Sequence, residues 1–123
     1  MKILIVEDAP SDLKLARVLL MSAGHEVSEA ETAEMALTAV RENPPELILL
    51  DLKLPGTDGL TLLRQLKQDR MTQEIPVVAV TSYPDYWTQQ QALEAGCRAY
   101  LTKPIDAKAL VLRISDIGFE RST

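Results

Sequence analysis

Leu47-Ile48-Leu49-Leu50-Asp51-Leu52-Lys53-Leu54-Pro55-Gly56-Thr57-Asp58-Gly59 is the stretch that decides the fold. Four consecutive apolar residues predict a strand buried on both faces, as in a parallel sheet covered by helices. The strand ends on a carboxylate, Asp51. Pro55, Gly56 and the Asp58-Gly59 pair then mark a loop. A lone acid at the carboxyl end of a buried strand sits where open α/β sheets place their ligands. The competing reading is a strand-terminating Asp that caps the following loop.

The same grammar repeats on either side. Upstream, Lys2 to Val6 reads as a first strand ending in Glu7 and Asp8. Pro10-Ser11-Asp12 opens a helix with Leu13, Ala16, Leu19, Leu20 and Ala23 on one face, stopped by Gly24. Glu26 to Ala30 is a weak strand carried by Val27. Thr32 is a candidate N-cap for a second helix with Ala33, Ala36, Leu37 and Val40 inward, and Asn43-Pro44-Pro45 ends it. Downstream, Leu60, Leu63 and Leu66 mark a third helix that runs out at Gln68-Asp69-Arg70. Ile75 to Val80 is a fourth strand ending at Thr81-Ser82. Pro84-Asp85 predicts the start of a fourth helix, opened by Tyr86 and Trp87 and stopped at Gly96. Ala99-Tyr100-Leu101 is a short fifth strand before Thr102-Lys103-Pro104. Asp106 then caps a last helix with Ala107, Leu110, Val111, Ile114 and Ile117 inward.

Apolar strands alternating with helices imply a parallel sheet with right-handed crossovers. Five units are too few for a closed eight-stranded barrel, so an open, doubly wound α/β sheet remains. The chain has 123 residues, enough for one domain over 1–123 with a single core. Thirteen Lys and Arg against eighteen Asp and Glu give a net charge of −5, which argues against non-specific binding to nucleic acid or anionic lipid. The single cysteine, Cys97, cannot form an internal disulfide and reads as a buried, inert thiol. The lone histidine, His25, reads as a surface turn residue. No apolar run approaches the roughly 18 residues of a membrane span. The start lacks a signal-peptide pattern, so a cytoplasmic location is expected.

In such a sheet the carboxyl ends of all strands share one edge. That edge collects Glu7 and Asp8, Asp51, Thr81 and Ser82, and Lys103. Carboxylates within about 4–6 Å raise each other's pKa, and a divalent cation relieves the crowding. Hard oxygen ligands with retained waters suit Mg²⁺. Acids, metal, hydroxyl and ammonium together suit the handling of a phosphoryl group, with one carboxylate as nucleophile.

Glu7-Asp8, Asp51 followed by Pro55-Gly56 and Asp58-Gly59, Thr81-Ser82, and Tyr100 with Lys103-Pro104 resemble, in joint order, the receiver domain of two-component response regulators. The resemblance covers essentially the whole chain. It implies a flavodoxin-like (βα)5 fold with strand order 2-1-3-4-5. It further implies that Asp51 is the phosphoacceptor. Mg²⁺ would be held by Asp8, Asp51 and the backbone carbonyl of Lys53, with Glu7 acting through a metal-bound water. Thr81 and Lys103 would contact the phosphoryl group, the Lys103–Pro104 bond would be cis, and Tyr100 would be a switch aromatic answering Thr81. The implied partners are a histidine kinase or histidine phosphotransfer protein and a downstream protein that reads the face of helix four, strand five and helix five. Neither nucleic acid nor membrane is implied as a direct partner. The implied chemistry is limited to the protein's own phosphorylation and dephosphorylation.

Glu-Asp stands where many family members have Asp-Asp. Lys53 and Tyr83, two residues beyond Asp51 and Thr81, flank the expected path of attacking water and are expected to tune the lifetime of the phosphoryl group. Trp87 and Tyr86 read either as a partner anchor or as rings partly buried against their helix. Two rival functions compete with this reading. A phosphatase of the haloacid-dehalogenase type needs a second Asp two residues after the nucleophile, where this chain has Lys53. A phosphorylation-independent interaction module would keep the fold without the chemistry.

Overall fold

A computed structural model describes residues 1–122. The chain alternates strand and helix five times: β1 (Lys2–Val6), α1 (Pro10–Ser22), β2 (Glu26–Ala30), α2 (Ala33–Glu42), β3 (Leu47–Asp51), α3 (Gly59–Gln68), β4 (Val77–Thr81), α4 (Gln89–Glu94), β5 (Ala99–Thr102) and α5 (Ala107–Ser122). The sheet has the order β2-β1-β3-β4-β5, every pair parallel. This is the expected flavodoxin-like (βα)5 architecture.

Period-two alternation splits the core between the two faces of the sheet. Ile3, Ile5, Leu49, Val78 and Val80 face Leu13, Ala16 and Leu20 of α1 and Leu110, Ile114 and Ile117 of α5. Leu4, Val6, Ile48, Leu50, Val77 and Ala79 face Ala36 and Val40 of α2, Leu63 and Leu66 of α3, and Ala92 of α4. β3 is buried at all five positions, as its uninterrupted apolar run requires. β2 lies at the sheet edge, and only Ala30 of its five residues is buried.

The helix starts follow local chemistry. The Thr32 hydroxyl accepts from Met35 N–H at 3.1 Å, Asp58 from Thr61 N–H at 2.8 Å, and Asp106 from Ala109 N–H at 3.1 Å. Gly24 and Gly96 follow α1 and α4 at φ of 91° and 109°, where a Cβ is disfavoured. α3 ends differently: the buried Thr72 hydroxyl donates to the Leu66 carbonyl at 2.6 Å.

Three expectations need correction. Pro84-Asp85 does not start α4. It forms a turn in which the Tyr86 and Trp87 N–H groups both donate to the Tyr83 carbonyl, and Pro is well suited to the second position of a turn. The helix starts at Gln89, behind a capping box in which Thr88 and Gln91 bond reciprocally. Tyr86 and Trp87 therefore precede the helix rather than open it. β4 runs Val77–Thr81 rather than Ile75 to Val80, because the Ile75 N–H is taken by a turn to Thr72 and Pro76 has none to give. Ala23 and Ala107, expected inward, are exposed at the ends of their helices.

Candidate functional site

The carboxyl ends of β1, β3, β4 and β5 deliver the site. Glu7 follows β1 and is buried, while Asp8 beside it is exposed. Asp51 closes β3 and is buried. Thr81 closes β4 and is fully buried. Lys103 follows β5, its backbone N–H held by the Thr81 carbonyl at 2.8 Å, and its bond to Pro104 is cis.

Asp51 is fixed through both oxygens. Oδ1 accepts the Lys53 backbone N–H at 3.0 Å, and Oδ2 accepts from Lys103 Nζ at 3.0 Å. The loop behind it is pinned where the Gly59 N–H meets the Leu52 carbonyl at 2.8 Å. A Cβ on Gly59 would fall 2.3 Å from the Asp51 carbonyl oxygen, so the backbones can approach this closely only at glycine.

Lys103 Nζ also donates to Glu7 Oε1 at 2.5 Å and to Asp12 Oδ2 at 2.9 Å. Burial alone would lower the pKa of this ammonium. Hydrogen bonds to Glu7, Asp12 and Asp51 overturn that and hold it above its ordinary value, so the lysine stays charged. Burial, reinforced by the nearness of Asp51, pushes the Glu7 carboxyl up to about 7 against the opposing pull of Lys103 and the Ala9 N–H. The acids are thus only partly compensated by one cation.

One oxygen each from Glu7, Asp8 and Asp51 lie within 4.8 Å of one another. A set of three carboxylate oxygens, open on the side of the exposed Asp8, fits a hard divalent cation such as Mg²⁺, which keeps several of its own waters.

Thr81 Oγ1 accepts the Tyr83 N–H at 2.9 Å. Lys53 Nζ donates to the Tyr83 hydroxyl at 3.3 Å and lies 4.9 Å from the ring centroid, so the two flanking side chains form a single unit. Tyr86 packs edge-on against Trp87 at 4.6 Å, and Trp87 is half-buried against the core. Tyr100, at the half-buried end of β5, donates its hydroxyl to the Trp87 carbonyl at 2.5 Å.

The strand ends thus bring together Glu7, Asp8, Asp51, Thr81 and Lys103, with Lys53 and Tyr83 at the rim and Tyr100 behind the β4–α4 segment. Asp12 was missed. In the sequence it stands out only as part of a helix start, although it falls one turn beyond Asp8, on the side of α1 that faces Lys103. Ser82 is exposed and Cys97 buried, its thiol pushed up to about 11 by burial. His25 is half-buried rather than a plain surface residue, with Nδ1 3.0 Å from the Met1 amino group.

A sequence profile of the response regulator receiver domain matches residues 3–115. The chain belongs to the response regulator receiver family. This receiver is 39% identical over 115 residues to the phosphate regulon transcriptional regulatory protein PhoB of Pseudomonas aeruginosa, covering 94% of this chain and 50% of that protein. It is 38% identical to the response regulator PleD of Caulobacter vibrioides, covering 94% of this chain and 26% of PleD. It spans at most half the length of these two relatives. Against the polar-differentiation response regulator DivK of Brucella ovis, identity is 36% and coverage 89% of each chain. Among solved structures, a CheY-like response regulator receiver domain protein from Methanospirillum hungatei superposes with a TM-score of 0.90 at 30% identity, covering 98% of this chain and 95% of that one. The receiver domain of NtrX from Brucella abortus gives 0.85 at 33% identity, covering 93% and 95%. Among the described residues of this receiver, no helix is long and apolar enough to cross a membrane.

Proposed function

We propose that this receiver accepts a phosphoryl group on Asp51 from a histidine kinase or histidine phosphotransfer protein and passes the signal to a downstream protein in the cytoplasm. The observation that supports this most directly is the convergence on Asp51: a buried strand-end carboxylate bonded by Lys103 Nζ at 3.0 Å, inside an acid group that fits a divalent cation.

An Asp51 carboxylate oxygen attacks the donor phosphorus. An O–P bond forms, and the N–P bond to the donor imidazole breaks with its electron pair returning to nitrogen. Asp8, Asp51 and the Lys53 backbone carbonyl would hold Mg²⁺, and Glu7 would act through a metal-bound water. When bound, the cation supplies charge neutralisation for the phosphoryl oxygens. Lys103 adds a fixed ammonium, and the Thr81 hydroxyl turns from the Tyr83 N–H to donate to a phosphoryl oxygen. Lys53 and Tyr83 stand over the approach of hydrolytic water and set how long the acyl phosphate lasts. The same group that rewards Thr81 for moving biases Tyr100, and with it the face of α4, β5 and α5 that a partner reads. The chain catalyses nothing beyond its own phosphorylation and dephosphorylation.

The test is incubation with a radiolabelled small acyl phosphate and Mg²⁺. Stoichiometric, base-labile label that disappears in Asp51→Asn supports the reading. Turnover of exogenous phosphoesters, or no label from any donor, refutes it.

A further inference from the structure

An ammonium has three protons to donate, and on Lys103 three carboxylates take them: Glu7 at 2.5 Å, Asp12 at 2.9 Å and Asp51 at 3.0 Å. Two of these are contested. Glu7 and Asp51, with Asp8, are the acids that each place one oxygen within 4.8 Å of the others, so a divalent cation and Lys103 draw on the same two carboxylates. Asp12 lies outside that group and is bonded to the lysine. It is also the open member of the cluster: its side chain is 40% exposed, against 7% for Glu7, 8% for Asp51 and 10% for Lys103.

We infer that Asp12 is a positioning residue, which holds the Lys103 ammonium at the solvent side of the acid cluster so that Glu7 and Asp51 can turn to a divalent cation without leaving the lysine unpartnered. The inference rests on the phosphoacceptor reading and assigns a further residue to the same site. Its physical basis is the penalty for stripping partners from a charge out of water. Without Asp12, a cation entering the cluster competes for every carboxylate that the ammonium has. With Asp12, one charge-assisted hydrogen bond persists throughout, and the lysine stays beside Asp51. An isolated exposed ion pair would contribute little. This one differs because its ammonium is nearly buried and belongs to the site. Asp12 is held in place by the first turn of α1, which Pro10 opens without any side-chain cap from Ala9.

The competing account makes Asp12 only one more negative charge near the cation. The two separate in a double-mutant cycle. Backbone amide shifts of Glu7, Asp8 and Asp51 are followed while magnesium chloride is added to the wild type, Asp12→Asn, Asp12→Glu, Lys103→Met, and Asp12→Asn combined with Lys103→Met. Asp12→Asn is expected to raise the half-saturating concentration roughly three- to tenfold. Asp12→Glu should restore most of the loss, and the Asp12→Asn effect should vanish in the Lys103→Met background. An equal effect with and without Lys103 overturns the inference, as does no effect or no magnesium uptake by the wild type. Should Lys103→Met fail to fold, the acetylation of Lys103 by acetic anhydride in EDTA, read by mass spectrometry, decides the matter. Faster labelling in Asp12→Asn than in wild type sustains the role, and unchanged labelling ends it. Phosphoryl uptake by the wild type from acetyl phosphate is measured in parallel. Its failure would remove the phosphoacceptor reading, whereas uptake with an unaltered magnesium titration in Asp12→Asn would remove only this inference.

Discussion

The Tyr100 hydroxyl donates to the Trp87 carbonyl across 2.5 Å, tying β5 to the turn that precedes α4. Residues 100 and 87 thus share one bond between the strand and the segment that begins at Thr81. Tyr100→Phe keeps the ring and removes the bond. Stability should fall by about 1 kcal/mol in urea unfolding. Emission from Trp87, the only tryptophan, should shift at the same time. Unchanged stability and emission would mean the contact does not hold the turn.

Gly59→Ala should be disruptive out of proportion to one methyl group. The new Cβ would lie 2.3 Å from the Asp51 carbonyl oxygen and 2.7 Å from the Leu52 Cα, and backbone cannot step aside as a flexible side chain can. A loss of about 1–3 kcal/mol or more is expected in thermal or urea unfolding, with disturbed amide shifts at Asp51. A variant as stable as the wild type would show that the β3–α3 loop can move away from the Asp51 carbonyl at little cost.

Thr72→Val preserves shape but removes the hydroxyl that donates to the Leu66 carbonyl at 2.6 Å in a buried site. The orphaned carbonyl should lower stability by about 1–3 kcal/mol. Urea midpoints of the two proteins check this.

Cys97 provides the pH test. Burial holds its thiol at about 11, above the ordinary value of 9.0, so the folded state binds the proton more tightly than the unfolded chain. The stability this confers is complete below pH 9 and is lost as pH rises towards 11. Native protein at pH 8 should therefore alkylate slowly with iodoacetamide and fast in urea. Equal rates would contradict a buried thiol.

Much of the fold was legible because its signals are local. The run from Leu47 to Leu50 is buried at every position, and Thr32, Asp58 and Asp106 cap the helices that follow them. Pro84-Asp85 misled because proline followed by an acid suits a turn as well as a helix start. The stronger signal, Thr88 with Gln91, lay four residues on. The strand-end rule gathered Glu7, Asp8, Asp51, Thr81 and Lys103 at one edge. Asp12 escaped it, because its role depends on how far a lysine ninety-one residues away reaches across the strand ends. Side-chain reach is not written in periodicity.

The most direct measurement of the central claim is the intact mass of the protein after treatment with acetyl phosphate and magnesium, followed by peptide mapping of the modified residue. The account predicts one phosphoryl group per chain, carried by Asp51, released by alkali, and absent in Asp51→Asn or in EDTA. A protein that stays unmodified, or one that gains the same phosphoryl group after Asp51→Asn, would contradict it.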